Sequence, residues 1–275
     1  MENFLKPSIL KELCQKYDLS PSKKYGQNYL ITDKPVLEMV EAGEIEKTDT
    51  VVEIGPGFGV LTFLLAEKAK EVYAFEIEKK LDAYWQEKQK QYTNVHIIWG
   101  NVLTHIEEKA KELGTYKVCA NLPYQITSFV LRTLLELHNK PERIVIMVQK
   151  EVAERMCAKP GDMSLLSVSV QYYGTPRIVT KVSRGNFWPS PKVDSAVVAI
   201  EKMQKNTKED ARFFAVVHAG FANKRKQLAK NVANTLGIQE EKVKDALKKV
   251  MNNERVRAEE LSVENWKDFV TLIYS

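Results

Sequence analysis

Along the chain, short apolar runs alternate with longer stretches that carry one apolar and one polar face. Residues 50–54, 72–76, 95–99, 116–120 and 143–148 are compact apolar runs that read as buried strands. Between them, residues 60–70, 79–91 and 126–137 place apolar side chains at helical spacing. This alternation predicts a doubly wound α/β fold with a mostly parallel sheet covered on both faces. Upstream, residues 7–17 have helical spacing, and a further helix is expected to start at Asp33-Lys34-Pro35, where a polar cap precedes an early proline. The pattern then changes. Residues 167–173, 177–183 and 193–200 read as strands separated by little more than turn residues, such as Gly174-Thr175-Pro176, so the sheet is expected to end in antiparallel strands. From about Lys205 the spacing is helical only, over 211–222, 224–236, 240–251 and 262–274. A small all-helical C-terminal domain (204–275) therefore follows a sheet domain (1–203) that begins with an N-terminal arm.

Composition leaves this picture intact. With 275 residues, 44% hydrophobic and 28% charged, the chain has the makeup of a packed soluble protein rather than a disordered, collagenous or membrane-spanning one. Its longest apolar runs, such as 144–148, are far too short to cross a bilayer. Cys14, Cys119 and Cys157 form neither a disulfide framework nor a zinc spacing, which suits a reducing cytoplasm, and residues 1–13 lack the features of a signal peptide. Charge adds one distinction. Of the net +5, residues 1–200 contribute 26 Lys/Arg against 25 Asp/Glu, and residues 201–275 contribute 15 against 11. A basic appendage on a nearly neutral body is an arrangement a nucleic-acid enzyme can use to hold phosphates.

The candidate chemistry begins at Val51-Val52-Glu53-Ile54-Gly55-Pro56-Gly57-Phe58-Gly59, a strand that runs into a glycine-rich turn and then a helix. Glycines there permit a tight turn and close approach of backbone to ligand. Val60 stands where a dinucleotide fingerprint wants its third small residue, which counts against NAD and suits a ligand without phosphate, such as S-adenosylmethionine. Glu76 ends the next strand about 20 residues on, the position of an acid that accepts from ribose hydroxyls. Asn101 follows the third strand, at the adenine end of the same crevice.

Asn121-Leu122-Pro123-Tyr124 comes directly after the fourth strand. An adenine exocyclic amine is a poor nucleophile because its lone pair is delocalised into the ring. An Asn oxygen and a backbone carbonyl accepting its two hydrogens favour a pyramidal nitrogen, so alignment does most of the work and no strong base is needed. The ring of Tyr124 is placed to stack on an extruded base.

These motifs together closely resemble the ribosomal RNA adenine dimethyltransferases of the KsgA type, a class I (Rossmann-like) S-adenosylmethionine-dependent family with a seven-stranded sheet. The match covers 24–30 in the arm, the glycine loop 53–62, 121–124, Phe187-Trp188-Pro189-Ser190-Pro191-Lys192-Val193-Asp194-Ser195, the basic segment 221–228 and 257–262. The resemblance implies dimethylation of the 6-amino groups of two adjacent adenosines in the 3′-terminal hairpin loop of small-subunit ribosomal RNA. It implies cofactor contacts from Asn28, Leu30, Gly55, Gly57, Glu76, Asn101 and Asn121, and a catalytic set of Asn121, Leu122, Pro123 and Tyr124, with Phe187 closing on the target adenine. The family usually has Asp where this chain has Asn101. Lys23, Lys24, Lys192, Lys224, Arg225 and Lys226 are the expected RNA contacts. The partner implied is ribosomal RNA in the immature 30S particle, bound by a cytoplasmic monomer, with no membrane.

The related large-subunit methyltransferase of macrolide resistance shares the cofactor loop and a similar Asn-x-Pro-Tyr turn, but the Phe187–Ser195 match favours the small-subunit type. An RNA-binding assembly factor with secondary methylation is the alternative from another class. His96, His105, His138 and His218 are dispersed, so neither metal binding nor histidine acid–base chemistry is expected. Cys119 is read as a small apolar residue of a buried strand.

Overall fold

The computed structural model describes residues 6–19, 28–223 and 226–275. It divides into two compact units, Met1–Ala153 with Thr175–Met203, and Glu154–Gly174 with Gln204–Ser275. In chain order the elements are α1 (Pro7–Lys16), β1 (Tyr29–Leu30), α2 (Lys34–Ala42), β2 (Thr50–Ile54), α3 (Val60–Lys68), β3 (Glu71–Glu76), α4 (Asp82–Lys88), β4 (Val95–Trp99), α5 (Val102–Leu113), β5 (Lys117–Asn121), α6 (Thr127–Glu136), β6 (Arg143–Gln149), α7 (Lys150–Met156), α8 (Leu165–Tyr173), β7 (Thr175–Val182), β8 (Phe187–Trp188), β9 (Ser195–Glu201), α9 (Asp210–Phe221), α10 (Leu228–Leu236), α11 (Glu240–Met251) and α12 (Val263–Tyr274).

The first unit is built on a seven-stranded sheet in the order β4-β3-β2-β5-β6-β9-β7. The five strands from β4 to β6 run parallel, β9 is antiparallel to β6, and β7 is antiparallel to β9. Central strands such as β6 and β9 are buried along nearly their whole length, which explains why they read as continuous apolar runs rather than alternating ones. Strand order reverses between β2 and β5, the place where open sheets of this kind leave a crevice at the carboxyl ends of their strands. A separate two-stranded ladder pairs Tyr29 with Trp188 and Leu30 with Phe187, joining the end of the arm to the loop before β9.

In the second unit, α8 to α12 share one core that includes Val168, Phe213, Leu228, Leu247, Trp266 and Phe269. Two features differ from the sequence reading. Residues 167–173 are helical, not a strand, because Ser164 and Ser167 form a reciprocal cap that starts α8, and the helix buries Val168, Val170 and Tyr173. Second, the helical unit is not one continuous segment: besides Gln204–Ser275 it takes in Glu154–Gly174. Main-chain bonds from Gly161 (2.8 Å) and Met163 (3.2 Å) to the Glu259 carbonyl fasten that stretch to the helical unit.

Candidate active site

The carboxyl ends of β2, β3 and β4 lie in register, with Ile54 opposite Phe75 and Glu76 opposite Trp99. Gly55 N–H donates to the Phe75 carbonyl (2.9 Å) and Gly100 N–H to that of Glu76 (2.8 Å), so the ladder runs directly into the loops that carry the expected site. There the chain encloses a cavity of about 290 Å³. Asn28, Leu30, Gly55, Gly57, Glu76, Asn101, Asn121, Leu122, Pro123, Tyr124 and Phe187 all line it, so every cofactor-contact and catalytic residue expected from the sequence converges on one space.

Gly55, Gly57 and Gly59 have φ of +73°, +53° and +86°, a left-handed series that side chains resist. A Cβ at Gly59 would stand 2.6 Å from the Phe63 ring, whereas at Gly55, which lines the cavity, it would meet only Pro123 Cδ, at 3.9 Å. Two aromatics of α4 hold this loop from behind. The Tyr84 hydroxyl donates to the Phe58 carbonyl (2.7 Å) and the Trp85 indole N–H to the Gly57 carbonyl (3.1 Å).

Glu76 is 4% exposed and takes three backbone N–H bonds, from Gly57 to Oε2 (3.1 Å) and from Ile77 and Glu78 to Oε1 (2.8 Å each). Burial pushes its pKa up, and these three bonds oppose the shift. Glu53, 2% exposed, lines the same cavity, and its Oε2 has no partner in the protein. Desolvation, with the Glu76 charge adding to it and the Thr62 hydroxyl opposing it, raises Glu53 to about 8. Sequence reasoning passed over Glu53 as a functional residue. The signal was present, as a lone acid inside the apolar run Val51-Val52-Glu53-Ile54.

Asn101 caps α5, its Oδ1 accepting from Leu103 N–H at 3.0 Å. Asn121 ends β5, and the following turn is drawn tight by Ile126 N–H and the Thr127 hydroxyl, both donating to the Pro123 carbonyl at 3.2 Å. The Tyr124 hydroxyl meets that of Ser195, at the start of β9. Phe187 is 4% exposed yet lines the cavity, so its ring is open to a ligand within the cavity rather than to bulk solvent. Trp188 is partly buried and stacks on Tyr29.

Of the expected RNA contacts, Lys192 is exposed on the loop between β8 and β9, and Lys226 is exposed just before α10. Lys23, Lys24, Lys224 and Arg225 lie outside the described residues. Cys119 is buried in β5. Among the described residues, no helix is long and apolar enough to cross a membrane, and no His/Cys/Asp/Glu cluster is arranged to hold a metal ion.

The carboxyl groups in the cavity lining, among the described residues, are those of Glu53 and Glu76, and no Lys or Arg joins them. A pyrophosphate finds no counter-charge there, while a cationic ligand finds the unpartnered Glu53 oxygen and the Glu76 carboxyl. Fold and lining together define a class I methyltransferase that uses S-adenosylmethionine. Residues 19–274 match the family model for ribosomal RNA adenine dimethylase. The chain belongs to that family, and its activity is S-adenosylmethionine-dependent methylation of ribosomal RNA. Among its relatives, a protein of Dehalococcoides mccartyi named ribosomal RNA small subunit methyltransferase A is 42% identical, covering 98% of this chain and 94% of its own. A Clostridium botulinum protein of the same name is 37% identical, with coverage of 96% and 98%. Among solved structures, a dimethyladenosine transferase from Plasmodium falciparum aligns with a TM-score of 0.74 at 26% identity, over 88% of this chain and 95% of that one. The 23S rRNA methyltransferase ErmE has the same TM-score at 24% identity, over 90% and 100%, a likeness of fold.

Proposed function

We propose that the enzyme dimethylates the 6-amino groups of two adjacent adenosines in the 3′-terminal hairpin loop of small-subunit ribosomal RNA. On this reading it acts as a cytoplasmic monomer on the immature 30S particle. The observation that carries the proposal is the convergence of Asn121, Tyr124 and Phe187 on the cavity that also holds the glycine loop and Glu76. The target subunit follows from relatives at 37–42% identity over nearly the whole chain, which are named for the small subunit.

S-adenosylmethionine, when bound, supplies an electrophilic methyl group on a sulfonium. Asn28, Leu30, Gly55, Gly57 and Glu76 hold the nucleoside, with Glu76 accepting from ribose hydroxyls through lone pairs left free by its three backbone bonds. Asn101 stands at the adenine end, and the orphaned Glu53 oxygen adds an acceptor for the cationic end of the ligand. On the acceptor side, the Asn121 side-chain oxygen and a main-chain carbonyl of the Leu122-Pro123 turn take the two amine hydrogens. This localises the nitrogen lone pair and aims it along the transfer axis. Tyr124 and Phe187 hold the extruded base between their rings, and the enclosure of the cavity keeps water from competing. The exposed Lys192, and the basic helical unit carrying Lys226, supply phosphate contacts, joined by Lys23, Lys24, Lys224 and Arg225.

Mass spectrometry of small-subunit RNA after incubation with enzyme and cofactor tests the reading. The expected product is N6-dimethyladenosine at two neighbouring positions; its absence from immature small subunits refutes the proposal. Asn121→Ala is expected to abolish transfer while cofactor binding persists. Full ribosome maturation supported by that variant would instead make RNA binding the important role.

A further inference from the structure

We infer that Phe129 is a stacking platform for the unpaired RNA base that flanks the adenine being methylated. The inference rests on the adenine-methylation reading of the site. Large apolar side chains of the first unit are mostly enclosed, including Phe58, Phe63, Phe75 and Phe187. Phe129 is 65% exposed, the most exposed of the large apolar side chains among the described residues. Its place in the chain gives this exposure a direction. Gln125 and Ile126 line the cavity, and Phe129 follows them by four and three residues on the helical path that enters α6. Residues so spaced share a face, and Gln125 and Phe129 are both exposed on it, so the Phe129 ring follows the cavity-lining residues of the acceptor turn by one helical turn. The two bonds to the Pro123 carbonyl fix the first turn of α6 to that motif, so the ring is preorganised relative to Tyr124.

The loop that leads to the Tyr124 partner Ser195 is exposed. Val193, exposed, lies two residues before Ser195, whose hydroxyl bonds Tyr124, and Lys192 precedes it. Phe129 offers a flat aromatic face on the helix that follows the acceptor turn, and the loop before Ser195 offers a methyl surface and a cation, groups that suit a single-stranded nucleotide. The occupant follows from the chemistry of extrusion. Drawing one adenine out of a loop and into the cavity removes the stacking partner of its neighbour, and an exposed ring on the helix that follows the acceptor turn replaces that partner.

The test compares initial rates of methyl transfer to small ribosomal subunits whose RNA lacks dimethyladenosine. Phe129→Ala is expected to raise the KM for subunits roughly five-fold or more, with cofactor affinity by calorimetry and thermal stability unchanged. Phe129→Tyr and Phe129→Trp are expected to restore the wild-type KM, and Phe129→Leu is not. A KM for Phe129→Ala within two-fold of wild type overturns the inference, as does rescue by Leu equal to that by Tyr. A sedimentation change in Phe129→Ala would identify a second copy of the chain as the occupant and overturn it too. If the wild-type enzyme transfers no methyl group to ribosomal RNA, the underlying reading fails; if it does and Phe129→Ala is indistinguishable, only the stacking role fails.

Discussion

The hydroxyls of Tyr124 and Ser195 lie 2.7 Å apart, a bond that ties the acceptor turn after β5 to the first residue of β9 across 71 positions of sequence. Ser195 is fully buried, so this bond sets the pitch of the Tyr124 ring. Removing it leaves a phenol without its partner in a place that already raises the Tyr124 pKa by desolvation. Ser195→Ala is therefore expected to cost about 1–3 kcal/mol of stability and to lower kcat several-fold, with cofactor affinity unchanged. Tyr124→Phe removes the same bond but keeps the stacking face, so it is expected to lower kcat several-fold as Ser195→Ala does, whereas Tyr124→Ala loses about 1–3 kcal/mol of base stacking in addition. Steady-state rates on undermethylated small subunits separate these outcomes. If Tyr124→Phe were as inactive as Tyr124→Ala, the hydroxyl rather than the ring face would be the working part.

Glu53 gives the protein a pH dependence of definite sign. Its carboxyl is raised from 4.5 to about 8 by burial, and the neighbouring Glu76 is shifted the same way. Between pH 4.5 and 8 the folded state therefore binds more protons than the unfolded chain. The stabilising contribution is complete below about pH 4.5 and is lost as pH rises through about 8, with a slope of at most about 1.4 kcal/mol per pH unit for this group. Glu53→Gln mimics the protonated form, so in the cofactor-free protein it is expected to flatten this dependence and to raise Tm at pH 8. Thermal melts from pH 5 to 9 check it; equal slopes in the two proteins would show that Glu53 does not carry the proton.

Asn101 both caps α5 and lines the cavity. Its Oδ1 is committed to the Leu103 N–H at the head of α5, which leaves an NH2 where a carboxylate would present a second acceptor. Asp caps helices as well as Asn does and adds a charge favourable to the helix N-terminus. Asn101→Asp is thus expected to hold or slightly raise stability, by about 0.3–1 kcal/mol, and to tighten binding of a ligand whose adenine amine is a donor. Calorimetric titration with S-adenosylmethionine measures this directly. Weaker binding by the Asp variant would mean that the Asn101 amide donates to the ligand instead.

Much of this site was readable because local signals and tertiary demands agreed. The glycine loop, Glu76 at its spacing and Asn121-Leu122-Pro123-Tyr124 each sit at a strand end, where periodicity, turn chemistry and function call for the same residues. The reading failed where they diverged. Ser167-Val168-Ser169-Val170 alternates like a strand, but its start is a Ser164–Ser167 capping box without the usual acid, and helical packing of Val168 and Val170 overrides the period of two. The attachment of Glu154–Gly174 to the helical unit rests on contacts with Glu259, nearly the length of a domain away in sequence, which no local pattern records. The pairing of Phe187 with Leu30 across the two-stranded ladder, which leaves Phe187 4% exposed, likewise joins distant parts of the chain that no local pattern connects.

The α4 aromatics behind the glycine loop also lay beyond local pattern, and they carry a testable role. Trp85 is 1% exposed, packs on Phe63 and donates its indole N–H to Gly57, the residue whose own N–H reaches Glu76. Gly57 is thereby held between Trp85 at its carbonyl and Glu76 at its N–H. Trp85→Phe removes the donor and part of the ring volume, so the loop loses one of its two side-chain bonds from α4 while the acceptor turn is untouched. The expected result is a stability loss of about 1–3 kcal/mol and a higher KM for S-adenosylmethionine, with kcat at saturating cofactor near wild type. Tyr84→Phe, which removes only the bond to the Phe58 carbonyl, should shift the same two quantities by less. A kcat defect at saturating cofactor in either variant would show that the clamp reaches the transfer step as well as the binding step.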